Sequence, residues 1–303
     1  MNEAIFEGFI KSNAQNNLNV YGIHVYSKTL GSAAHHFRAQ ERVHLFSGSK
    51  AFTSMAVGIA AGEGRLGLSD KIIDYFPQYR DIAAPGAEQI TVKDLLQMRV
   101  GHDKSLFTTL EESHEHKLDW AELFFHTPMA HEAGTAYLYD NGSSYMLSRV
   151  VEAVSGQNLR EYLMPRFFAP LDIFNPQWHT CPGGHSLGAF GLFLNTEEFS
   201  RLGILLLNNG RWQDKQIVPE KYLRLAINDT VTTAGFDDIE NKQGYGYQLW
   251  RCTVKDAYRA DGKYGQYSIV LPDRQAVVTV TAHNEVLAND ILRAVWSEIL
   301  PSL

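Results

Sequence analysis

The sequence predicts an α/β (α+β) protein in which both ends of the chain build one antiparallel sheet, flanked by helices, around an inserted and mainly helical segment. Three observations carry that prediction. Apolar and aromatic residues run or alternate near the N-terminus, capped helical patterns fill the middle, and period-two alternation returns in the last third. The expected division is residues 1–45 and 195–303 as a sheet-bearing lobe and 46–194 as a mainly helical lobe, with a cleft between them.

Taken in order, residues 1–17 suit a helix, and "VYGIHVYS" (20–27) and "AAHHFRA" (33–39) read as a strand hairpin turning at "KTLGS". Ser47 to Ala61 is small and apolar without breakers and stops at the glycines of "GEGRLGLSDKI", so it reads as one buried helix with Ser47 near its start. "TVKDLLQMRV" (91–100) has Thr91 as a cap, and "GSSYMLSRVVEAVSG" (142–156) ends on Gly156. "NTEEFSRLGILLLNNG" (195–210) carries Glu197 and Glu198 in its first turn and stops at Gly210. No run of strands stands out between 62 and 180. "YGYQLWRCT" (245–253), "QYSIVLP" (266–272) and "QAVVTVTAH" (275–283) then form an antiparallel meander, with turns at "ADGKYG" and "PDRQ". "EVLANDILRAVWSEIL" closes the chain as an amphipathic helix.

A chain of 303 residues with 45% hydrophobic content can bury a large core. The formal charge of -7 and the scattering of the 27 Lys and Arg residues give no footprint for nucleic acid or an anionic membrane. The N-terminus lacks a basic start and a long apolar run, and no stretch approaches the ~20 residues that span a bilayer, so a cytoplasmic location is expected. Cys181 and Cys252 have no metal-binding or disulfide spacing, which agrees with a reducing compartment. The histidines, including "HEH" at 114–116 and His35-His36, match no zinc pattern, and no metal or cofactor is expected.

"HLFSGSKAFTS" (44–54) places Ser47 and Lys50 three residues apart at a helix start, on one face and about a turn apart. A serine hydroxyl is a poor nucleophile until a base takes its proton, and a desolvated lysine can be that base. Ser-x-x-Lys alone arises by chance about once in such a chain; a lone lysine in a buried helix, by contrast, is costly without a partner. Ser49 lies off that face and suits a helix-start hydroxyl. "YLYDNGSS" supplies Tyr139 and Asn141 just before the next long helix: a tyrosine can relay a proton, and an asparagine can hold the lysine or a substrate carbonyl. In "ADGKYGQYSIVLP" a glycine turn before a strand offers a backbone N–H that, with that of Ser47, can stabilise an oxyanion.

The order Ser-x-x-Lys, Tyr-x-Asn and a glycine-bearing strand turn resembles the serine β-lactamase and penicillin-binding-protein family. It is most similar to the branch with class C β-lactamases, D-alanyl-D-alanine carboxypeptidases, esterases and 6-aminohexanoate-dimer hydrolases. "AAGEGRLGLSDKIIDYFP", "ITVKDLLQMRVGH", "LYDNGSSYMLSRVVEAVSG", "LNTEEFSRLGILLLNNGRWQDKQIVP", "GYGYQLW" and "DGKYGQYSIVLP" resemble that branch's stretches in its order, over about residues 20–300. The resemblance implies a β-lactamase/transpeptidase-like fold and an acyl-enzyme route on a small-molecule ester or amide. It implies Ser47 as nucleophile, Lys50 as proton acceptor, Tyr139 as general base and acid and Asn141 as a positioning group. Ser47 and Lys263 would then supply the oxyanion amides, with Gly262 and Gly265 shaping the turn.

That assignment sets "ADG" (260–262) in the place of Lys-Thr-Gly; a shift onto "KYG" would move it. Asp261 then stands where a hydroxyl residue would help hold a substrate carboxylate, which it would repel. Asp140 replaces the usual serine or asparagine between Tyr139 and Asn141, and no separate deacylating glutamate is found. Ester or small-amide hydrolysis is thus favoured over β-lactamase or carboxypeptidase action. A non-catalytic, sensor-like protein that acylates once is a further alternative.

"GHSLG" (184–188) also fits the nucleophile elbow of α/β-hydrolases, and Asp256 or Asp261 followed by His283 would satisfy the chain order. An elbow needs a buried strand directly before it and a helix directly after, and "DIFNPQWHTCPG" has two prolines and no strand pattern. A glycine-rich loop at the rim of the cleft is the simpler reading.

Overall fold

The computed structural model of the protein describes residues 1–107 and 119–303. The "HEH" histidines at 114–116 therefore lie outside the described residues. Six strands form the main sheet in the order β2-β1-β10-β9-β8-β7. They are β1 (Val20–Ser27), β2 (Gly31–His36), β7 (Trp250–Arg251), β8 (Tyr258–Gly262), β9 (Gln266–Leu271) and β10 (Ala276–Ala282). All pair antiparallel, and β1 lies between its hairpin partner β2 and the last strand β10, with Ile23 opposite Val280 and Val25 opposite Val278. One sheet is built from both ends of the chain, as the alternation predicts.

Both faces of that sheet are covered, so every residue of β9 and β10 is buried, where the period-two reading expects one exposed face. On one face Ile23, Val25, Ile269, Val278 and Val280 meet Phe6 and Phe9 at the start of the chain and Ile291 and Val295 at its end. The N-terminal helix α1 is Glu7–Gln15. The other face takes the long helix α7 (Thr196–Leu207), whose start carries a full capping box between Asn195 and Glu198. A Cβ on Gly203 of α7 would stand 2.6 Å from Ser268 Oγ and from Val277 Cγ1, so the missing side chain allows the helix to approach the strands.

Between β2 and β7 the helices are α2 (Ser49–Gly62), α3 (Val92–Leu96), α4 (Trp120–His126), α5 (Asn141–Ser155), α6 (Leu159–Leu163), α7 and α8 (Glu220–Asn228), described residues only. The pairs β3 (Val43–His44) with β4 (Phe193–Leu194) and β5 (Arg211–Trp212) with β6 (Lys215–Gln216) are two-residue ladders. Helix α2 is buried from Ser49 to Ala60, as an all-round apolar helix must be. A Cβ on its Gly58 would lie 2.4 Å from the Tyr222 ring, which packs there instead. Chain order ends with α9 (Asn289–Ala294), continued by a π turn over Val295–Ile299.

Several element boundaries differ from the sequence reading. The expected strand over 245–253 shrinks to Trp250–Arg251, because Gln248 has φ 64 and the Gly246 position faces the Ala226 carbonyl, 2.1 Å from where a Cβ would stand. Its aromatic alternation serves a cluster of rings rather than a strand. Residues 260–262, expected in a turn, end strand β8, and the turn is Lys263–Gly265. Strand β9 lies inside the sheet, between β8 and β10. Helix α3 stops at Leu96, since Met98 adopts φ 58 and breaks the spiral. Among the described residues no helix is long and apolar enough to cross a membrane, and Cys181 and Cys252 are both buried and unbridged.

Candidate active site

Ser47 sits in a 3-10 turn, Phe46–Gly48, that leads directly into α2. The turn is anchored on both sides. Leu45 N–H donates to the Leu192 carbonyl and Gly48 N–H to the Leu45 carbonyl, each at 2.9 Å. Phe46, directly before Ser47, has φ 48, a left-handed conformation that costs a non-glycine residue about 1–2 kcal/mol. Its ring is held 4.1 Å from the His44 ring and 5.0 Å from that of Tyr264. Ser49, expected as a helix-start hydroxyl, accepts the Leu192 N–H at 3.2 Å and so fastens the same turn.

Lys50 lies beneath Ser47 with 1% of its surface exposed. Its Nζ is 3.0 Å from Ser47 Oγ, 2.6 Å from Asn141 Oδ1 and 3.0 Å from the Ala189 carbonyl. Burial drives its pKa down from 10.5 to about 7, against the attraction of Asp140 and Asp261 for the ammonium form. Asn141 opens α5, and its Nδ2 donates to the Phe107 carbonyl at 2.7 Å, which fixes the amide so that its oxygen faces the lysine.

Asp140, beside it, is fully buried and is the cap of α5. Its carboxylate accepts from the N–H groups of Leu106, Gly142 and Ser143, at 2.6, 3.0 and 2.7 Å. The substitution noted in the sequence is thus a cap that also ties the 105–106 segment to the helix start.

Tyr139 stands on the other side of Ser47, with Lys50 Nζ 5.0 Å from its ring centroid. Tyr245 and Trp250 pack against the ring at 6.0 and 5.6 Å. Burial raises the phenol's pKa well above the usual tyrosine range; a hydrogen bond with Ser47 opposes the shift and the nearby Asp261 adds to it.

The end of β8 forms the facing wall. A Cβ on Gly262 would stand 2.1 Å from the Leu45 carbonyl and 3.0 Å from the Gly48 nitrogen, so only glycine lets the strand lie against the Ser47 turn. Lys263 follows directly. Gly265 has φ 95 and faces Ile291, within the core on the far side of the sheet; it turns the chain and does not line the cleft. Ser47, Tyr139, Asn141, Asp261, Gly262 and Lys263 share one cleft of about 610 Å³, which Phe236 and Trp250 also line.

Ser186 is placed elsewhere. It is buried in an irregular loop, its hydroxyl accepts the Arg160 N–H at 3.5 Å and its carbonyl accepts from Ser148 at 2.8 Å. Asp256 pairs with Arg251 and His283 with Glu285, so no elbow or triad is assembled around it. Nor is 183–188 a rim of this cleft. The segment's end acts from below instead: the Gly188 carbonyl accepts from Thr53 at 2.7 Å and the Ala189 carbonyl from Lys50. Sequence reasoning missed both carbonyls, and it missed Arg259, which is fully buried with Nε 2.8 Å from Asp261 Oδ2. Among the described residues no cluster of His, Cys, Asp and Glu has the geometry of a metal site.

The sheet of both termini, the buried α2 and the cleft at its start define a protein of the β-lactamase and penicillin-binding-protein fold. The sequence profile described as Beta-lactamase matches residues 21–295, and the chain belongs to the beta-lactamase family, a family of hydrolases. A curated relative, the 6-aminohexanoate-dimer hydrolase of Paenarthrobacter ureafaciens, is 22% identical over 243 residues, which cover 75% of this chain and 62% of the relative. The chain thus spans under two thirds of that relative's length. The octameric penicillin-binding protein homologue from Pyrococcus abyssi superposes with a TM-score of 0.75 at 18% identity, over 99% of this chain and 78% of that one. The D-stereospecific amidohydrolase from Streptomyces sp. superposes with a TM-score of 0.73 at 16% identity, over all of both chains.

Proposed function

We propose that the protein is a serine hydrolase that cleaves a small ester or amide through an acyl-enzyme on Ser47. The observation that carries this reading is a lysine amine 3.0 Å from a serine hydroxyl and held by burial at about pKa 7. Near neutral pH a large fraction of that amine is unprotonated, and its lone pair can take the hydroxyl proton.

Ser47 Oγ adds to the substrate carbonyl carbon while its proton passes to Lys50 Nζ. The carbonyl oxygen becomes an oxyanion, which the amides of Ser47 and Lys263 stabilise. Tyr139 is held as the neutral phenol, so it acts first as the acid: it protonates the leaving alcohol or amine as the carbon to leaving-group bond breaks. The proton on Lys50 then restores the phenol. In deacylation a water adds to the acyl carbon, its proton leaves by the same pair of groups, and Ser47 recovers its hydroxyl as the acid departs. Asn141 holds Lys50 in line through Oδ1. The name of the Paenarthrobacter relative supports amide hydrolysis as within the reach of such a site.

The test is covalent labelling followed by peptide mapping, with a fluorophosphonate and separately with a penicillin, on the native protein and on Ser47→Ala and Ser186→Ala. An adduct on the Ser47 peptide that only Ser47→Ala abolishes supports the mechanism. A penicillin adduct that persists without turnover points to a sensor, and an adduct on Ser186 refutes the assignment.

A further inference from the structure

The wall of the cleft that faces Ser47 carries an unusual balance of charge. Asp261 lies at the penultimate position of β8, next to the glycine that touches the Ser47 turn, and its side chain is 20% exposed on the cleft. Its Oδ2 is taken by Arg259. Arg259 donates to the Glu240 carbonyl, while the Glu240 carboxylate accepts from Thr253 and Trp296. Burial raises the pKa of Asp261, against the attraction of the Arg259 guanidinium for its carboxylate.

The mouth of the cleft repeats the pattern. Glu285 lines it 3.0 Å from His283 Nε2. The amide groups of Asn241, Asn284 and Asn289, which also line it, already spend their oxygens on Arg259, on the N–H groups of Val286 and Leu287, and on Tyr267. Among the described residues the lining cation is Lys263, and its Nζ is drawn to 4.8 Å above the Tyr264 ring. A substrate carboxylate would meet Asp261 within the cleft with no free guanidinium beside it, since Arg259 is 0% exposed and fully engaged. An ammonium would meet a carboxylate.

We propose that Asp261, supported by Glu285, makes this a site for substrates bearing a positively charged ammonium group near the scissile carbonyl, and selects against substrates with a carboxylate there. The inference rests on the acyl-enzyme reading of Ser47 and adds the substrate class to it.

The probes are three phenyl acetates with a meta trimethylammonium, tert-butyl or carboxylate group, matched in the reacting bond. Each kcat/KM is divided by the probe's spontaneous hydrolysis rate, to remove the effect of leaving-group acidity. The native protein is expected to favour the trimethylammonium over the carboxylate probe by about tenfold or more, with the ratio shrinking as salt rises. Asp261→Asn should bring the ratio to about one. Because that change leaves Arg259 buried without its partner, Glu285→Gln at the exposed mouth is the second variant, with a smaller loss of preference, about twofold. A native ratio of one, or a preference for the carboxylate, overturns the inference and leaves Ser47 chemistry standing, as does a cation preference that neither variant reduces. No turnover of any probe, with no adduct on Ser47, overturns the functional reading and this inference together.

Discussion

Replacing Lys50 by methionine isolates the cost of burying an amine. In the folded chain the amine titrates at about 7, while in the unfolded chain it titrates near 10.5. Between those values the unfolded state binds more protons, so this one group makes stability rise with pH through that window. The benefit is complete above 10.5 and is lost as pH falls to 7. The slope is half-maximal at pH 7 and approaches about 1.4 kcal/mol per pH unit above it, so from pH 7 to pH 9 the native protein should gain about 2 kcal/mol relative to Lys50→Met.

All other titratable groups are common to both proteins and cancel to first order. The assay is urea unfolding of each protein at pH 6, 7, 8 and 9, read as the difference in free energy. At pH 6 the methionine variant should compare best, because the native protein then buries a charged ammonium; its handicap is the Asn141 Oδ1 and Ala189 carbonyl left without a donor. A difference that stays flat from pH 6 to 9 would refute the depressed lysine. In parallel, kcat/KM of the native enzyme should rise about tenfold per pH unit below 7 and level off above it.

Asn141→Ala removes the acceptor of Lys50 and the donor to the Phe107 carbonyl, and should cost about 1–3 kcal/mol in urea melts while moving the pH–rate profile of the remaining activity. Gly262→Ala forces a Cβ against the Leu45 carbonyl, so β8 must draw away from Ser47. Burst acylation should fall by more than tenfold, with a loss of about 1–3 kcal/mol in stability, and a normal burst would refute the close approach. Ser47→Ala should lose at least about a thousandfold in kcat while Ser186→Ala retains activity within a factor of two, measured on one chromogenic ester.

The parts legible in the sequence are those that depend on local chemistry. Thr91 and Gly156 mark helix ends by capping rules that need no tertiary partner, and each is found as a cap. The apolar patterns in 20–27 and 275–283 marked strands, found at Val20–Ser27 and Ala276–Ala282, because one strand's pattern is visible in its own residues. Tyr245 to Thr253 misled for the opposite reason: rings spaced as in a strand pack into a cluster around Tyr139 and Trp250, and only the fold reveals it. Ser47, Lys50 and Asn141 were visible as residue types at a meaningful spacing, and the structure brings both Ser47 and Asn141 within hydrogen-bond reach of Lys50. The Ala189 carbonyl left no trace, since any residue has a carbonyl and its place depends on a loop far along the chain. Arg259 was equally silent, because an arginine in a strand is indistinguishable from a solvated one until its burial is known.

The pairing of β1 with β10 has a consequence for how the chain reaches this state. When β1 and β2 leave the ribosome they can close their own hairpin at once, yet the other edge of β1 must wait for the final strand of the meander. Until then an apolar edge stays open to any other extended segment, in this chain or in a neighbouring nascent copy. The pairing that joins the two ends of the chain is therefore the last to become possible, and synthesis that stalls late should yield aggregates rather than a partly active protein.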